Sequence, residues 1–202
     1  MKIVNPSCQI ESAANYSEII NHIERAARTC YKSESAITFE DKEKFVRNLI
    51  KRGHVSTIEH FSLSVRFICD RGVSHEIVRH RLCAFSQEST RFCDYSGNGI
   101  ELIHPECLND KQRARREDHF WQVQELYDTE ISEGLPPQIA RGVLPTALKT
   151  ELVLTANIRE WRHIFNMRAV GIAGKPHPQM LELMVPLLEE FKLKLPAFFA
   201  DL

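Results

Sequence analysis

The 202-residue sequence lacks several features that mark particular classes of protein. None of its apolar runs is as long as a membrane span, and the opening MKIVNPSCQIES has no basic region followed by an apolar block. We therefore predict no membrane segment and no secretion signal, and we expect a cytoplasmic protein. A formal net charge of −1 argues against a general nucleic-acid binder, which is normally clearly basic.

The six cysteines include no C-x-x-C pair, so their spacing is not typical of a zinc ribbon or a small disulfide scaffold. We predict reduced thiols, several of them in the core, and no metal site. The cysteines are Cys8, Cys30, Cys69, Cys83, Cys93 and Cys107.

Composition and length are those of a globular protein, with 43% hydrophobic and 26% charged residues. We find no internal repeat and no linker long enough to separate domains, so we predict one α+β domain over residues 1–202. Apolar spacing predicts helices at 16–31, 40–51, 72–82, 107–134, 136–144, 158–170 and 177–192, with a capped turn at Ser56–Glu59. Alternation predicts strands at 2–5, 61–67, 89–92, 99–105 and 146–157.

The stretch RHRLCAFSQESTRF, residues 79–92, concentrates positive charge in a nearly neutral chain. Helical residues are about 100° apart, so Arg79 and Arg81 would point to nearly opposite sides and serve different ligands or subunits, unless one ligand wraps around the segment. Ser89 and Arg91 would share a face of an alternating segment and could clamp a phosphate or carboxylate. The alternative is a solvated face on which Glu76 pairs with the basic residues.

A second candidate lies on the helix predicted from residue 158. Trp161, Ile164, Phe165 and Arg168 follow i, i+3, i+4, i+7 spacing, and Asn157 extends the same face. An unpaired charge at the end of an apolar stripe is costly, so Arg168 either snorkels to water or projects into a pocket with an anionic or electron-rich ligand.

These residues resemble the flavin-dependent thymidylate synthases. RHR, seven residues and then Ser is similar to the signature of that family. Before and after this signature, six further segments occur in the order that the family shows: AARTCY, GHVSTIEH, ARGVLP, TAN-I-R, NMR and HPQM. The resemblance covers the chain from about residue 26 onward. It implies that family's fold, with a mostly antiparallel twisted sheet packed against helices, including one long helix.

The resemblance also implies an activity. Such enzymes convert deoxyuridylate (dUMP) to thymidylate (dTMP) with methylenetetrahydrofolate as one-carbon donor and FAD reduced by NADPH as hydride source. The family is homotetrameric, with active sites shared between subunits. No metal, nucleic-acid or membrane partner is implied.

Carried over by position, the resemblance implies three groups of site residues. Arg168 would be the catalytic group, placed against the uracil so that it stabilises charge on the ring. FAD would contact Ser56, Arg79, His80, Arg81, Gln87, Asn157, Ile158, Arg159 and His163. The nucleotide would contact Glu76, Ile77, Val78, Arg79, Gln87, Glu88, Ser89, Thr90, Arg91, Arg141 and Arg168.

Some positions depart from the family pattern. Ser56 stands where threonine is frequent, Glu76 where glutamine is common, and His163 where asparagine is frequent. The link between Arg168 and His177 is longer than usual. Cys83 and Cys93 flank the signature, and we interpret both as packing residues and not as nucleophiles.

Two other classes of protein would also use residues of this sequence. A metal-dependent hydrolase could use His54, His60, His75 and His80, although HVSTIEH lacks the spacing of two imidazoles on one helical face. A non-catalytic nucleotide-binding or RNA-binding module could use RHR and KQRARR. The near-neutral charge argues against this module, and KQRARRED is better explained as a solvated helix start.

Overall fold

The computed structural model describes residues 1–12, 15–29 and 38–202. They form two compact units. The first unit comprises Met1–Cys8, Arg66–Arg79 and Phe85–Val153, and the second comprises Gln9–Val65, His80–Ala84 and Leu154–Leu202. The single domain expected over residues 1–202 stays a prediction. Cys30 and Tyr31, at the end of the first predicted helix, lie outside the described residues.

Helices form most of the regular structure of the described chain. They are α1 (Tyr16–Thr29), α2 (Phe39–Lys51), α3 (Arg71–Ile77), α4 (Asp110–Ser132), α5 (Pro137–Ala140), α6 (Ile158–Phe165), α7 (Pro178–Lys194) and α8 (Pro196–Phe199). Short 3₁₀ turns occupy Val55–His60 and Arg141–Val143, and a π-helical turn at Asn166–Val170 continues α6.

The predicted long helix is α4, and its first residue is set by a capping box. The Asn109 side chain accepts from the backbone N–H of Gln112 at 2.9 Å, and the Gln112 side chain accepts from the backbone N–H of Asn109 at 3.0 Å. Two otherwise unpaired donors are thereby satisfied. Lys111, Arg115 and Arg116 in the first turns are exposed, as expected for a solvated helix start.

The strands are β1 (Lys2–Ile3), β2 (Ser7–Ile10), β3 (Ser62–Asp70), β4 (Ala84–Gln87), β5 (Glu101–Leu102) and β6 (Lys149–Asn157). Strands β1 and β5 form a parallel pair, with Lys2 opposite Glu101, and the larger sheet has the order β2-β3-β6-β4. This mixed architecture confirms the predicted α+β class.

Alternation fixes which face of each long strand is buried. In β3, Leu63, Val65 and Phe67 are at most 3% exposed, and in β6 the buried apolar residues are Leu152, Leu154 and Ala156. Period-two spacing places such residues on one face, so both strands were predictable from sequence.

Each unit has its own apolar core. In the first unit, Ile100, Leu102, Phe120, Val123 and Leu148 pack together. In the second unit, the rings of Trp161, Phe165, Phe191 and Phe199 pack in tilted and edge-to-face pairs, with centroids 5.0 to 5.7 Å apart. The indole N–H of Trp161 donates to the carbonyl of Leu63 at 3.0 Å, so the buried donor is satisfied.

None of the helices in the described chain combines the length and hydrophobicity that crossing a bilayer requires. Among the described cysteines, Cys69, Cys83, Cys93 and Cys107 are free thiols, with Cys69 in the core and Cys107 exposed. Burial, followed by the neighbouring Glu160 carboxylate, raises the pKa of Cys83 to about 12. Such a thiol is protonated at neutral pH, which supports its interpretation as a packing residue.

Candidate active site

The RHR segment leaves its helix before the first arginine. Helix α3 begins at Arg71, where the Asp70 side chain caps it, and ends at Ile77, not at residue 82 as predicted. Its last turn tightens, since the Arg79 N–H bonds the Glu76 carbonyl at 3.3 Å. The helical argument for Arg79 and Arg81 is therefore wrong.

Exposure nevertheless alternates along this segment, because Arg79 and Arg81 are exposed whereas His80 is 7% exposed. The chain turns at residues 78–79 and again at 81–82, so two turns, and not a helix or a strand, present the two cationic side chains to solvent and bury the residue between them. The imidazole of His80 is thus separated from water while its neighbours remain accessible.

Three side chains of the second unit surround His80. Its Nε2 accepts a hydrogen bond from Nε of Arg168 at 3.1 Å, and its Nδ1 lies 3.7 Å from Oε1 of Glu160. The ring centroid of His163 is 5.6 Å away. Burial, with the charge of Arg168 and then His163, lowers the pKa of His80 from 6.5 to about 4. His80 is therefore a neutral acceptor at neutral pH.

Asn157 and Glu160 set the start of α6. Asn157 is the N-cap, and its Oδ1 accepts from the backbone N–H of Glu160 at 2.9 Å. Burial raises the pKa of the Glu160 carboxyl, although His163 and Arg159 act in the opposite direction. Ile158 is fully buried, so its side chain belongs to the core, and its predicted contact with FAD stays a prediction.

Ser56 and Arg159 lie on the exposed side of the second unit. The Val55–His60 turn packs against α6, and the Arg159 guanidinium pairs with the carboxylate of Glu59. The capping box predicted for Ser56 and Glu59 is wrong, because His54 is the N-cap of this turn and makes no side-chain cap within the described chain.

Arg168 lies in the π-helical turn. Trp161, Ile164 and Phe165 are fully buried as the stripe predicts, but the wider turn re-aims the residues that follow them, and Arg168 is partly buried. Gly171 ends the turn with a φ of 80°, and a Cβ there would meet the Gly174 carbonyl at 2.9 Å. Only glycine fits this reversal.

In the first unit, most of the residues predicted to hold the nucleotide lie at the ends of α3 and β4 and in the loop that follows β4. The amide of Gln87 donates to the Ser74 hydroxyl at 3.0 Å and to the Thr150 hydroxyl at 3.2 Å. In α3 and its C-cap, Ile77 is fully buried, whereas Glu76 and Val78 are partly exposed. The roles of these residues at the nucleotide stay predictions.

Glu88 is held by other residues of the first unit. Its carboxylate accepts from the Tyr95 hydroxyl at 2.5 Å and from Lys149 Nζ at 3.4 Å. Its backbone N–H donates to the Glu151 carbonyl, and its own carbonyl accepts from Arg71. Glu88 therefore anchors the start of the following loop, which we did not foresee.

Ser89 begins a tight turn, so the alternating strand predicted at 89–92 is wrong. Its carbonyl accepts from the N–H groups of Phe92 at 3.1 Å and Cys93 at 3.0 Å, and its hydroxyl accepts from the N–H of Arg91 at 3.2 Å. The physical reason is local, because a serine hydroxyl readily bonds the backbone two residues on.

Two exposed guanidinium groups accompany this turn. Nε of Arg91 donates to the Gln138 side chain at 3.2 Å, and Nη1 of Arg141 lies 3.4 Å from the hydroxyl of Thr90. Both cations and two hydroxyls thus belong to one accessible part of the first unit, which suits a phosphate group.

Among the described residues, one group has the spacing of a metal site. Donor atoms of His80, Glu160 and His163 lie within 4.8 Å of one another. A neutral imidazole that binds a metal through Nδ1 carries its proton on Nε2. In this structure Nε2 of His80 instead accepts a hydrogen bond from Arg168, so it carries no proton. The charge of the Arg168 guanidinium also opposes a cation at this position. The other hydrolase candidates, His54, His60 and His75, are exposed and outside this group.

Sequence reasoning missed Glu160, although a signal was present. The residue stands three positions after Asn157 and four before Ile164, and so lies on the apolar stripe. It is only 7% exposed. A carboxylate on such a stripe requires a buried partner, in the same way that Arg168 does.

Comparison with known proteins places the chain in a family. Residues 14–197 match the family model described as thymidylate synthase complementing protein. The flavin-dependent thymidylate synthase of Geobacter sulfurreducens is 30% identical over 87% of this chain and 78% of its own length. That of Corynebacterium efficiens is 33% identical over 89% and 78%. The chain belongs to the flavin-dependent thymidylate synthase family. The resemblance stated from its motifs is thereby confirmed.

A solved structure of another enzyme shares the fold of this family member. The UMP/dUMP methylase PolB from Streptomyces cacaoi, bound with 5-Br dUMP, superposes with a TM-score of 0.81 at 20% identity, covering 99% of this chain and 96% of that one. This likeness supports the predicted fold class.

Proposed function

We propose that this chain converts dUMP to dTMP, with methylenetetrahydrofolate as one-carbon donor and FAD reduced by NADPH as hydride source. Family membership supports the reaction class. The observation that carries the proposal is the hydrogen bond between Arg168 and neutral His80, because it holds a guanidinium in a fixed orientation beside residues predicted to bind FAD.

The phosphate of dUMP would bind in the first unit. A phosphate monoester carries nearly two negative charges and requires several donors. Ser89, Arg91 and Arg141 offer a hydroxyl and two exposed guanidinium groups there. Gln87 and Thr90 would add polar contacts, and Glu88 would support the loop through Tyr95 and Lys149.

The uracil ring would lie against Arg168. Carbon 5 of the ring must become nucleophilic, so negative charge builds up on the ring as the reaction proceeds. A guanidinium that is already oriented stabilises this charge without reorganising. The neutral state of His80 matters here, because a second cation at that position would repel Arg168.

The donor set of the second unit fits FAD. Arg81 and Arg159 are exposed cations that suit a pyrophosphate, and Ser56 and His163 add exposed polar groups. When bound, the flavin supplies the hydride chemistry, and the protein supplies binding and orientation. We further propose a homotetramer with active sites shared between subunits. The cytoplasmic location stays a prediction.

Replacing Arg168 by alanine tests this proposal. We expect the parent protein to form dTMP from dUMP only with methylenetetrahydrofolate, FAD and NADPH all present. Arg168→Ala should lower kcat by about 100-fold or more, the typical loss for a charge-stabilising donor. Flavin absorption per chain should stay at the parent level, since we assign Arg168 to the nucleotide.

Arg116→Ala is the matched control, because it removes an exposed guanidinium on α4 that has no predicted site role. It should leave kcat unchanged. Parent-level dTMP formation by Arg168→Ala would contradict the catalytic role. A parent protein that binds no flavin and forms no dTMP would contradict the proposed function itself.

A further inference from the structure

The bond between Arg168 and His80 shows which imidazole nitrogen carries the proton. A guanidinium can donate hydrogen bonds but cannot accept them. Nε2 of His80 lies 3.1 Å from Nε of Arg168 and must therefore be the unprotonated nitrogen. Because the ring is neutral, its single proton is on Nδ1, the nitrogen that faces Glu160 at 3.7 Å.

Glu160 is placed to select this protonation state. Its side chain is 9% exposed and that of His80 is 7% exposed, so solvent competes little for the Nδ1 proton. Its backbone N–H is bound by the Asn157 cap, which holds Glu160 in the first turn of α6. A carboxylate beside Nδ1 favours the tautomer whose proton is on that nitrogen.

We propose that Glu160 is a positioning residue that holds His80 in its Nδ1–H tautomer and, through it, orients the guanidinium of Arg168. This inference rests on the proposed function, because it assigns Arg168 to the reacting nucleotide. The Nε bond fixes the plane of the guanidinium and thereby the directions of its terminal amino groups. The order of action runs from Glu160 through His80 to Arg168.

The test uses Glu160→Gln, which keeps the side-chain size but adds an amide donor that can face Nδ1. The tautomer of His80 is read by ¹⁵N NMR of the histidine-labelled full-length protein, with the His80 signals identified by their loss in His80→Gln. We expect the parent protein to be protonated at Nδ1 and Glu160→Gln to shift towards the Nε2–H form. Glu189→Gln, an exposed carboxylate change on α7, should leave the tautomer and kcat unchanged.

Kinetics provide the second measurement. Glu160→Gln should lower kcat by about 10- to 100-fold, the range for residues that orient a functional group, with a much smaller change in KM for dUMP. In a His80→Gln background, the glutamine oxygen can still accept from Arg168 without a tautomer to select. Adding Glu160→Gln there should change kcat by less than about twofold, because the two residues act in series.

An unchanged tautomer in Glu160→Gln would overturn the inference, as would a shifted tautomer with parent kcat. Equal losses from Glu160→Gln with and without His80 would also overturn it. If Glu160→Gln fails to fold, an Nε2–H form of His80 in the parent protein overturns the inference, and the Nδ1–H form supports it. The NMR result does not depend on turnover, so a parent protein that makes no dTMP would defeat the proposed function alone.

Discussion

At the residue scale, His80 couples the candidate site to the pH dependence of stability. Its pKa is lowered from 6.5 to about 4, first by burial and then by Arg168 and His163. Between these values the unfolded chain binds a proton that the folded chain does not. Stability therefore rises with pH across this window, and the destabilisation is complete below the folded pKa.

We expect His80→Gln to remove this dependence. Relative to the variant, the parent protein should lose about 3 kcal/mol of unfolding free energy from pH 6.5 to 4, since a shift of one pKa unit corresponds to 1.36 kcal/mol. Urea unfolding of the flavin-free protein at one protein concentration measures it. Equal pH slopes for parent and variant would contradict the lowered pKa.

The pH dependence of stability that comes from Glu160 has the opposite sign to that from His80. Burial raises the pKa of the Glu160 carboxyl above the ordinary value of 4.5. The contribution of Glu160 to folding stability therefore decreases as the pH rises above 4.5. Because Glu160 is present in both proteins and glutamine approximates the size of histidine, the difference between the two curves reports His80.

Single-residue roles were predictable where one local pattern carried them. The apolar stripe singled out Arg168, and the apolar residues that precede it on the stripe are fully buried. The pattern could not supply its partner, because His80 is 88 positions away along the chain. Glu88 shows the same limit, since Lys149 is 61 positions away and its link to Glu88 appears only in the folded chain.

At the scale of elements, Asn157 combines a structural role with a predicted cofactor contact. Its Oδ1 caps α6, while the resemblance assigns it to FAD. Asn157→Ala should cost about 1 kcal/mol of stability by removing the cap. Asn157→Asp should retain the cap and parent stability, because an aspartate also accepts from the helix N–H groups and suits the positive helix end.

The predicted contact of Asn157 with FAD can be distinguished from its role as a helix cap by measuring flavin binding. Both variants of Asn157 should lower flavin occupancy, measured as flavin absorption per chain at limiting FAD, since neither offers an amide donor. Asn109→Ala removes the cap of α4 instead and should lower stability without changing flavin occupancy. Full flavin occupancy in Asn157→Asp would contradict the predicted contact with FAD and leave Asn157 with the role of a helix cap only.

Long periodic elements were the most predictable part of the fold. The alternation in β3 and β6 and the capped α4 appeared close to their expected positions. The failures occurred in the signature, where α3 ends at Ile77 and residues 89–92 turn. There, hydrogen bonds of Ser89 to the backbone outweigh a weak alternation. The π-helical turn at Arg168 also has no counterpart in a 3.6-residue pattern.

At the scale of the whole molecule, the order of motifs predicted the family, and the comparisons confirm it. Periodicity alone supported no more than an α+β chain. The predicted nucleotide residues Ser89, Arg91 and Arg141 belong to the first unit, whereas Arg168 and His80 belong to the second. We propose that a shared active site draws these two groups from different copies of the chain, and mixing subunits tests this part of the proposed homotetramer.

Co-assembly of two inactive variants tests the shared site. Arg91→Ala should lose phosphate binding and Arg168→Ala should lose turnover, so neither alone should form dTMP efficiently. If one site takes Arg91 from one protomer and Arg168 from another, random mixed tetramers should regain activity at about one quarter of their sites. The measurement is dTMP formation after co-refolding or co-expression of equal amounts.

The matched control places both substitutions in one chain and co-assembles it with the parent protein. The same counting then applies, and again about one quarter of the sites should be intact, because a site needs two parent protomers. Activity in this control together with none in the mixture of single variants would show that Arg91 and Arg168 of each site come from the same protomer. Recovery in the mixture requires different protomers, since within either single variant every site lacks one guanidinium.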